Sequence, residues 1–315
     1  MPELPEVQTI VNDLQKILPG LKISGVSTDA KNLFRKESFD DFRKEVVGKK
    51  ITNVERKGKN ILINLSGNKT ILIHQKMTGH LLYGKWTPSL ASDGVKIKSW
   101  TANEDGPIKD DPMNRFIHVV FDLSDNPPRL PPRLGEAGGE AGKQLALSDM
   151  RKFAKVLVLH TDKLGETADL NLGVDPFDKN FTLEKFKEVM RSKKSGKIKT
   201  VLMDQSLIAG IGNIYSDEIL WMAGVHPLKK IQDLNEKELV MIYKAILPIL
   251  DKALLARGTS SSDYRDVAGE KGSYQKMTVA YRLTGNPCQK NDGGTITRIK
   301  VGGRSAHFCP AHQEM

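Results

Sequence analysis

A chain of 315 residues, 39% hydrophobic and 27% charged, is long enough for two domains with separate cores, and no apolar run approaches the ~18 residues of a membrane span. Two cysteines, Cys288 and Cys309, cannot build a disulfide framework and fit a reducing cytoplasm, while Met1-Pro2-Glu3 has neither the basic start nor the apolar stretch of a secretory leader. The net charge of +10 favours a polyanionic partner such as nucleic acid.

The chain opens on Met1-Pro2-Glu3-Leu4-Pro5-Glu6. Proline after an initiator Met is a position from which the Met is removed, leaving a secondary amine. An α-amino group titrates near ~8, so part of it is uncharged and nucleophilic at neutral pH. Val7, Ile10, Val11, Leu14, Ile17 and Leu18 recur at helical spacing. The positive end of that helix disfavours the ammonium form. Glu3 beside the amine and Glu6 one turn on supply carboxyl groups for proton transfer. An ordinary helix start shares the proline and the acids, so these features alone leave both readings open.

Short β-branched runs follow at 61–65, 71–74, 116–123 and 155–160, the pattern of a sandwich or barrel. Two stretches break it: 84–113 is polar with little periodicity, and 126–144 is rich in proline and glycine, so both read as long surface loops. After Leu172-Gly173-Val174-Asp175-Pro176 the period becomes helical. Thr182 is a candidate N-cap for a helix carrying Leu183, Phe186, Val189 and Met190. Asn235 and Glu238 form a capping-box pair before a helix from 236 to 255, which Pro248 is expected to kink. Between these helices, Gly210-Ile211-Gly212-Asn213 opens a helix whose free backbone N–H groups suit a phosphate. Near the end, Gly302-Gly303-Arg304 between two extended runs predicts a β-hairpin.

Taken together, these strings resemble the formamidopyrimidine-DNA glycosylases, the Fpg branch of the Fpg/Nei family. The similarity is carried by Met1-Pro2-Glu3-Leu4-Pro5-Glu6-Val7, Arg56-Lys57-Gly58-Lys59, His74-Gln75-Lys76-Met77-Thr78-Gly79, Asp149-Met150-Arg151-Lys152-Phe153, the run from Ile198 to Pro227, and Gly302-Gly303-Arg304. It implies that Pro2 is the nucleophile, that Glu3 and Glu6 serve the same centre, and that Lys59 and Arg304 reach it as proton donors. It further implies that Met77, Arg151 and Phe153 fill the space left by a flipped nucleotide, and that His74, Lys193, Lys199 and Asn213 grip DNA. The family holds its terminal hairpin with four cysteines around zinc. Here Cys288, Asp292, Cys309 and His312 stand in the matching places, permitted zinc ligands in an unusual spacing. Asn60 departs from the family's aromatic residue, Met150 and Lys152 depart inside the wedge motif, and Phe116 stands where a DNA-contacting histidine is expected.

The expected fold is α+β with two domains: an N-terminal β-sandwich led by a helix (1–165), a hinge (166–178), a helix-two-turns-helix domain (179–272), and a zinc-finger-like β-hairpin (278–315). A strand-rich half followed by a helical half excludes a parallel α/β sheet. The expected function is that of a bifunctional DNA glycosylase and AP lyase acting on oxidised purines in damaged double-stranded DNA. The resemblance further suggests a monomeric cytoplasmic protein with one structural zinc and no membrane association. The alternatives are a non-catalytic damaged-DNA binder and a structured-RNA binder of the same fold. The first leaves intact Pro2, Glu3 and Lys59 without a use, and the second leaves the N-terminal string unexplained.

Overall fold

The computed structural model describes residues 1–94, 96–124, 142–261 and 263–315. The chain divides into two compact units. One comprises Met1–Pro2, Glu6–Thr167 and Thr259–Gly272, the other Glu3–Pro5, Ala168–Gly258 and Ser273–Met315.

The first unit is built on helix α1 (Leu4–Ile17) and two four-stranded antiparallel sheets. Its strands are β1 (Lys22–Thr28), β2 (Ile51–Lys57), β3 (Asn60–Leu65), β4 (Lys69–His74), β5 (Gly79–Gly84), β8 (Ile117–Ser124), β9 (Gln144–Asp149) and β10 (Lys155–His160), separated by a helix α2 (Phe39–Val46) and by the strand pair β6 and β7 described below. One sheet runs β1-β8-β9-β5 and the other β10-β4-β3-β2. Strand alternation sends Ile61, Ile63, Val119, Phe121, Leu145 and Leu147 into one shared core, where they meet Val7, Ile10, Val11 and Leu14 of α1. Those helical positions are 1% exposed or less, so the apolar stripe seen in the sequence is the face that closes the sandwich.

Residues 84–113 are not a bare surface loop. They contain β6 (Trp86–Leu90) and β7 (Ile97–Ala102), paired as a hairpin, then a short helix α3 (Pro107–Asp110) and a 3₁₀ turn (Pro112–Arg115). Trp86, Trp100 and Ile108 pack with Leu82, Ile117, Val120 and Ala146 on the outer face of a sheet. Three large apolar residues spaced far apart suffice to dock the insertion, a signal too sparse for periodicity to register. Of the second loop, 126–144, residues 126–141 lie outside the described residues.

The second unit holds α4 (Leu183–Arg191), α5 (Ile198–Leu202), α6 (Asn213–Ala223) and α7 (Glu236–Leu255) around Ile198, Leu202, Tyr215, Ile219, Ile242, Ile246 and Leu250. The Thr182 side chain caps α4 by accepting from the Lys185 amide at 3.2 Å. Asn235 and Glu238 close a full capping box at the start of α7, and Pro248 lies inside that helix without ending it. No helix among the described residues is long and apolar enough to cross a membrane. The hairpin pairs β11 (Thr297–Val301) with β12 (Arg304–Phe308), Val301 opposite Arg304. Gly302 (φ 55°) and Gly303 (φ 77°) both occupy the left-handed region that such a two-residue turn requires. By its contacts the segment Thr259–Gly272 groups with the first unit, where buried polar bonds described below retain it.

Candidate active site and nucleic-acid interface

Pro2 is buried while Met1 is 39% exposed. Glu3, next in the chain, is 3% exposed and sits at the N-terminus of α6. The amides of Gly212 and Tyr215 donate to its Oε2 at 2.7 and 3.4 Å, and that of Ile214 to its Oε1 at 2.9 Å. The Leu4 amide donates to the Gly210 carbonyl at 3.0 Å. A Cβ at Gly212 would lie 2.5–2.8 Å from the Glu3 carboxyl atoms, and one at Gly210 (φ +96°) would strike the Leu4 side chain at 2.7 Å. Part of the N-terminus that the Gly-Ile-Gly-Asn stretch opens is therefore occupied by a carboxylate of the same chain. Of the stretch's amides, that of Gly212 is taken by the chain's own Glu3, which a helix N-terminus favours for the same electrostatic reason. In the first unit, Glu6 is 1% exposed and its Oε1 accepts the Thr259 amide at 2.7 Å.

Lys59 occupies the two-residue turn between β2 and β3, after Gly58 (φ 57°). A lysine at a hairpin tip is ordinarily solvated, yet this one is 6% exposed. Its turn is anchored by Arg56, whose Nε donates to Gln8 Oε1 of α1 at 2.6 Å and whose Nη1 donates to the Gly58 carbonyl at 3.1 Å. His74, opposite Asn60 in the β3–β4 register, accepts the Lys76 amide on Nδ1 at 3.0 Å. Nε2 therefore carries the ring proton. Burial first, then the charges of Lys76, Lys59 and Lys155, push its pKa down to about 3, so the ring is a neutral donor at physiological pH.

The residues expected to fill the duplex stand on two turns joined by one buried carboxylate. Met77 and Phe153 are 39% and 46% exposed. The Arg151 guanidinium lies 4.6 Å from the centre of the Phe153 ring. Asp149, fully buried, accepts the Phe153 and Ala154 amides at 2.7 Å each, the Arg151 amide at 3.3 Å and the Thr78 hydroxyl. Thr78 follows Met77, so Asp149 sets both turns at once. Lys152, in place of the family's arginine, adopts φ 53° at the turn.

Of the residues expected at phosphates, Lys193 is exposed, as are Lys194 and Lys197 in the same run. Asn213 is half-buried at the first position of α6, and its Oδ1 has no hydrogen-bond partner among the described residues. Lys199 differs: it is 0% exposed. Its ammonium donates to Asp217 Oδ1 at 2.6 Å, Ser216 Oγ at 3.0 Å and the Asn213 carbonyl at 3.4 Å. An ammonium enclosed in this way braces α5 against α6 and is not free at the surface for a phosphate. Asp217 Oδ2 in turn accepts from the His307 amide at 3.0 Å and faces its Nδ1 at 2.9 Å, which ties β12 to the helices. Arg304, at the hairpin tip, is exposed.

Cys288, Asp292, Cys309 and His312 gather beside that hairpin, each offering a ligand atom within 4.8 Å of the others. His312 Nδ1 lies 2.5 Å from Asp292 Oδ2 and 3.7 Å from Cys288 Sγ. His312 Nε2 faces the Trp221 carbonyl at 3.2 Å, which leaves Nδ1 as the nitrogen able to ligate. A Cβ at Gly294 would collide with the Cys309 sulfur and lie 3.0 Å from Asp292 Oδ1, so the cradle depends on that glycine. Two thiols, a carboxylate and an imidazole converging on one point form a donor set that can hold a metal ion.

The fold and these sites define a two-domain α+β protein with a helix-two-turns-helix unit, presenting apolar and basic side chains from buried polar anchors. Residues 1–156 match the model of the formamidopyrimidine-DNA glycosylase N-terminal domain, and residues 172–265 that of the formamidopyrimidine-DNA glycosylase H2TH domain. The chain is 36% identical over 316 residues to the formamidopyrimidine-DNA glycosylase of Pelotomaculum thermopropionicum, covering 100% of both, and 34% identical to that of Desulforamulus reducens, covering 100% of this chain and 99% of the relative. Solved structures of the Lactococcus lactis enzyme superpose with a TM-score of 0.80 at 29% identity. One is bound to DNA containing an abasic site (99% of this chain, 100% of that one), and another, a mutant in complex with Fapy-dG-containing DNA, is matched over 100% of both chains. The chain belongs to the formamidopyrimidine-DNA glycosylase family.

The sequence did not single out the partner of Glu3, the turn-setting role of Asp149, or the bonds of the 259–272 segment. Glycines at 210 and 212 were the only visible sign of the first.

Proposed function

We propose that this protein excises oxidised purines from damaged double-stranded DNA and cleaves the resulting abasic site, with Pro2 as nucleophile. The observation that carries this reading is the fixation of Glu3. Three amides hold the carboxylate of the residue that follows Pro2 in the chain, so the acid of the proposed pair has a fixed place before substrate arrives.

Once Met1 is removed, the Pro2 nitrogen attacks C1′ of the damaged nucleotide. The bond from C1′ to the base breaks as the base departs with its electron pair and takes up the proton the amine gives up. Glu3 donates its proton to the sugar ring oxygen as the nitrogen lone pair opens the ring to the iminium ion. The iminium ion on Pro2 then acidifies C2′, and two eliminations expel the 3′ and 5′ phosphates. Lys59 and Arg304 serve as proton donors in those steps, and Glu6 supports the centre. Met77, Arg151 and Phe153 fill the duplex where the nucleotide has left. His74, Lys193 and Asn213 hold phosphates, and Lys199 acts from inside the helical unit. Cys288, Asp292, Cys309 and His312 hold one zinc, which when bound supplies the constraint that a small hairpin lacks. The net charge of +10 and the absence of a membrane-spanning helix among the described residues are consistent with a cytoplasmic, DNA-associated monomer.

Borohydride should trap a covalent adduct with an 8-oxoguanine or abasic duplex, mapped to Pro2. An adduct on Lys59 or another lysine would reject the assignment. Because glycine also offers an amine, Pro2→Gly is a weak test, and the mapped adduct decides.

A further inference from the structure

The segment Thr259–Gly272 contains no helix or strand among its described residues, yet it is placed at a functional group. The Thr259 amide donates to Glu6 Oε1 at 2.7 Å, and the Tyr264 hydroxyl donates to the Glu6 carbonyl at 3.4 Å. What holds the segment there is the stretch 107–115, the short helix and 3₁₀ turn that precede β8. Arg265 is 3% exposed and forks onto Asp111, Nε to Oδ2 at 2.7 Å and Nη2 to Oδ1 at 3.1 Å. Its Nη1 donates to the Tyr264 carbonyl at 2.8 Å. Asp111 Oδ1 also accepts the Met113 amide at 2.9 Å, which closes the 3₁₀ turn beneath it.

Asn114 supplies the second attachment. It is 1% exposed. Its Nδ2 donates to the Gly269 carbonyl at 3.1 Å and the Pro107 carbonyl at 2.7 Å, while its Oδ1 faces His80 Nε2 at 3.0 Å. A Cβ at Gly269 (φ +81°) would lie 2.6 Å from Asn114 Nδ2, so the segment approaches the insertion as closely as a glycine permits. A buried ion pair contributes little net stability, because desolvation offsets the attraction. Its planar fork contributes direction instead. An insertion that needed only to cover apolar surface has Trp86, Trp100 and Ile108 for that purpose and would gain nothing from burying an arginine.

We propose that Asp111, Asn114 and Arg265 are positioning residues that hold Thr259–Gly272 against Glu6 and thereby favour removal of the damaged base over cleavage of a site already abasic. This rests on the function proposed above. The base is the one part of the substrate that the two reactions do not share. A segment bearing hydroxyls and backbone amides beside Glu6 acts on the reaction in which a base is present, whereas a general loss of fold slows both.

The test compares single-turnover excision on an 8-oxoguanine duplex with borohydride trapping on an abasic duplex, for Arg265→Ala, Asp111→Asn and wild type, alongside hydrogen exchange. Excision by Arg265→Ala should fall about tenfold or more, with abasic trapping within about twofold of wild type. Amides of the 259–272 segment should exchange faster while those of β3 keep their protection. Arg265→Lys, which retains the charge without the fork, should recover part of the loss. If Arg265→Ala does not fold, Asn114→Ser removes the Gly269 bond while sparing the ion pair, and the same comparison applies. Equal losses in both reactions, or unchanged excision with unchanged exchange, would overturn the proposal. A wild-type protein inert toward both duplexes would instead overturn the function proposed above, and the exchange measurement would still decide whether the insertion orders the segment.

Discussion

Asp149 and Asp217 are both fully enclosed carboxylates that support exposed side chains, but the elements they support are completed differently. Asp149 takes three backbone amides and the Thr78 hydroxyl from its own neighbourhood, and the turns carrying Met77, Arg151 and Phe153 need nothing further. Asp217 links Lys199 to His307 and so secures one strand of the terminal hairpin. The far end of that hairpin rests on Cys288, Asp292, Cys309 and His312, whose donor atoms converge and face one another at 2.5–3.7 Å. A polar element whose bonds all close within the chain is ordered by those bonds, and one whose donors converge on a point can be finished by a cation.

The largest effect should come from cutting the hairpin's internal anchor. Lys199→Met leaves Asp217 buried without its cation and should cost about 3–5 kcal/mol. Urea midpoints would report the loss, and exchange in β11 and β12 should accelerate while the wedge turns keep their protection. Uniform loss across both regions would erase the distinction. Next, Asp149→Ala orphans several donors and should cost about 3 kcal/mol, with Met77, Arg151 and Phe153 no longer held together. Excision should then fall even where binding to undamaged DNA survives, which titration and single-turnover assays separate.

Cys309→Ser should act on the hairpin alone. Metal content should drop, and cleavage steps that depend on Arg304 should slow roughly tenfold or more, with excision less affected. Substoichiometric zinc in protein purified without chelator, together with full activity in EDTA, would show that packing alone completes the hairpin.

Acid should weaken the wedge side of the comparison. Burial pushes His80, whose Nδ1 lies 3.4 Å from the Thr78 carbonyl, down to about 4, and His74 stands at about 3. An unfolded histidine titrates near ~6.5, so below that pH the unfolded chain binds protons that the folded one refuses. Stability should therefore decline as pH falls from ~6.5 toward ~4, by up to about 1.4 kcal/mol per pH unit for each ring, and stay level above pH 7. Urea midpoints that do not move between pH 7 and 5 would contradict the buried neutral state. The smallest effect is expected at the surface: Lys193→Ala should reduce the salt dependence of DNA binding by about 0.9 in log–log slope, while the other anchors stay intact.

Most of the architecture was legible because it follows from periodicity. The stripe of α1, the strands from Asn60 to His74, the capping box at Asn235 and the glycine turn at 302–303 are local signals, and each fixes its element. What escaped was whatever depends on distant partners. Gly210 and Gly212 announce that something approaches closely, but not that it is Glu3. Lys199 stands at a position where the resemblance implies a phosphate contact, and only the fold encloses it with Asp217. The insertion at 84–113 docks through isolated tryptophans, and the retention of 259–272 in the first unit hangs on single bonds such as Arg265 to Asp111. Neither leaves a repeating trace.

The bond between Glu3 and the Gly212 amide spans 209 positions of sequence, and this sets a timetable for biosynthesis. At roughly 5–20 residues per second, a ribosome needs about 10–40 s to deliver the amides of α6 after Glu3 has emerged. Throughout that interval Glu3 lacks the amides that hold it, although α1 behind it can already pack on the strands of the first unit. The placing of this one carboxylate is therefore among the last events of folding, whatever the first unit has reached by then.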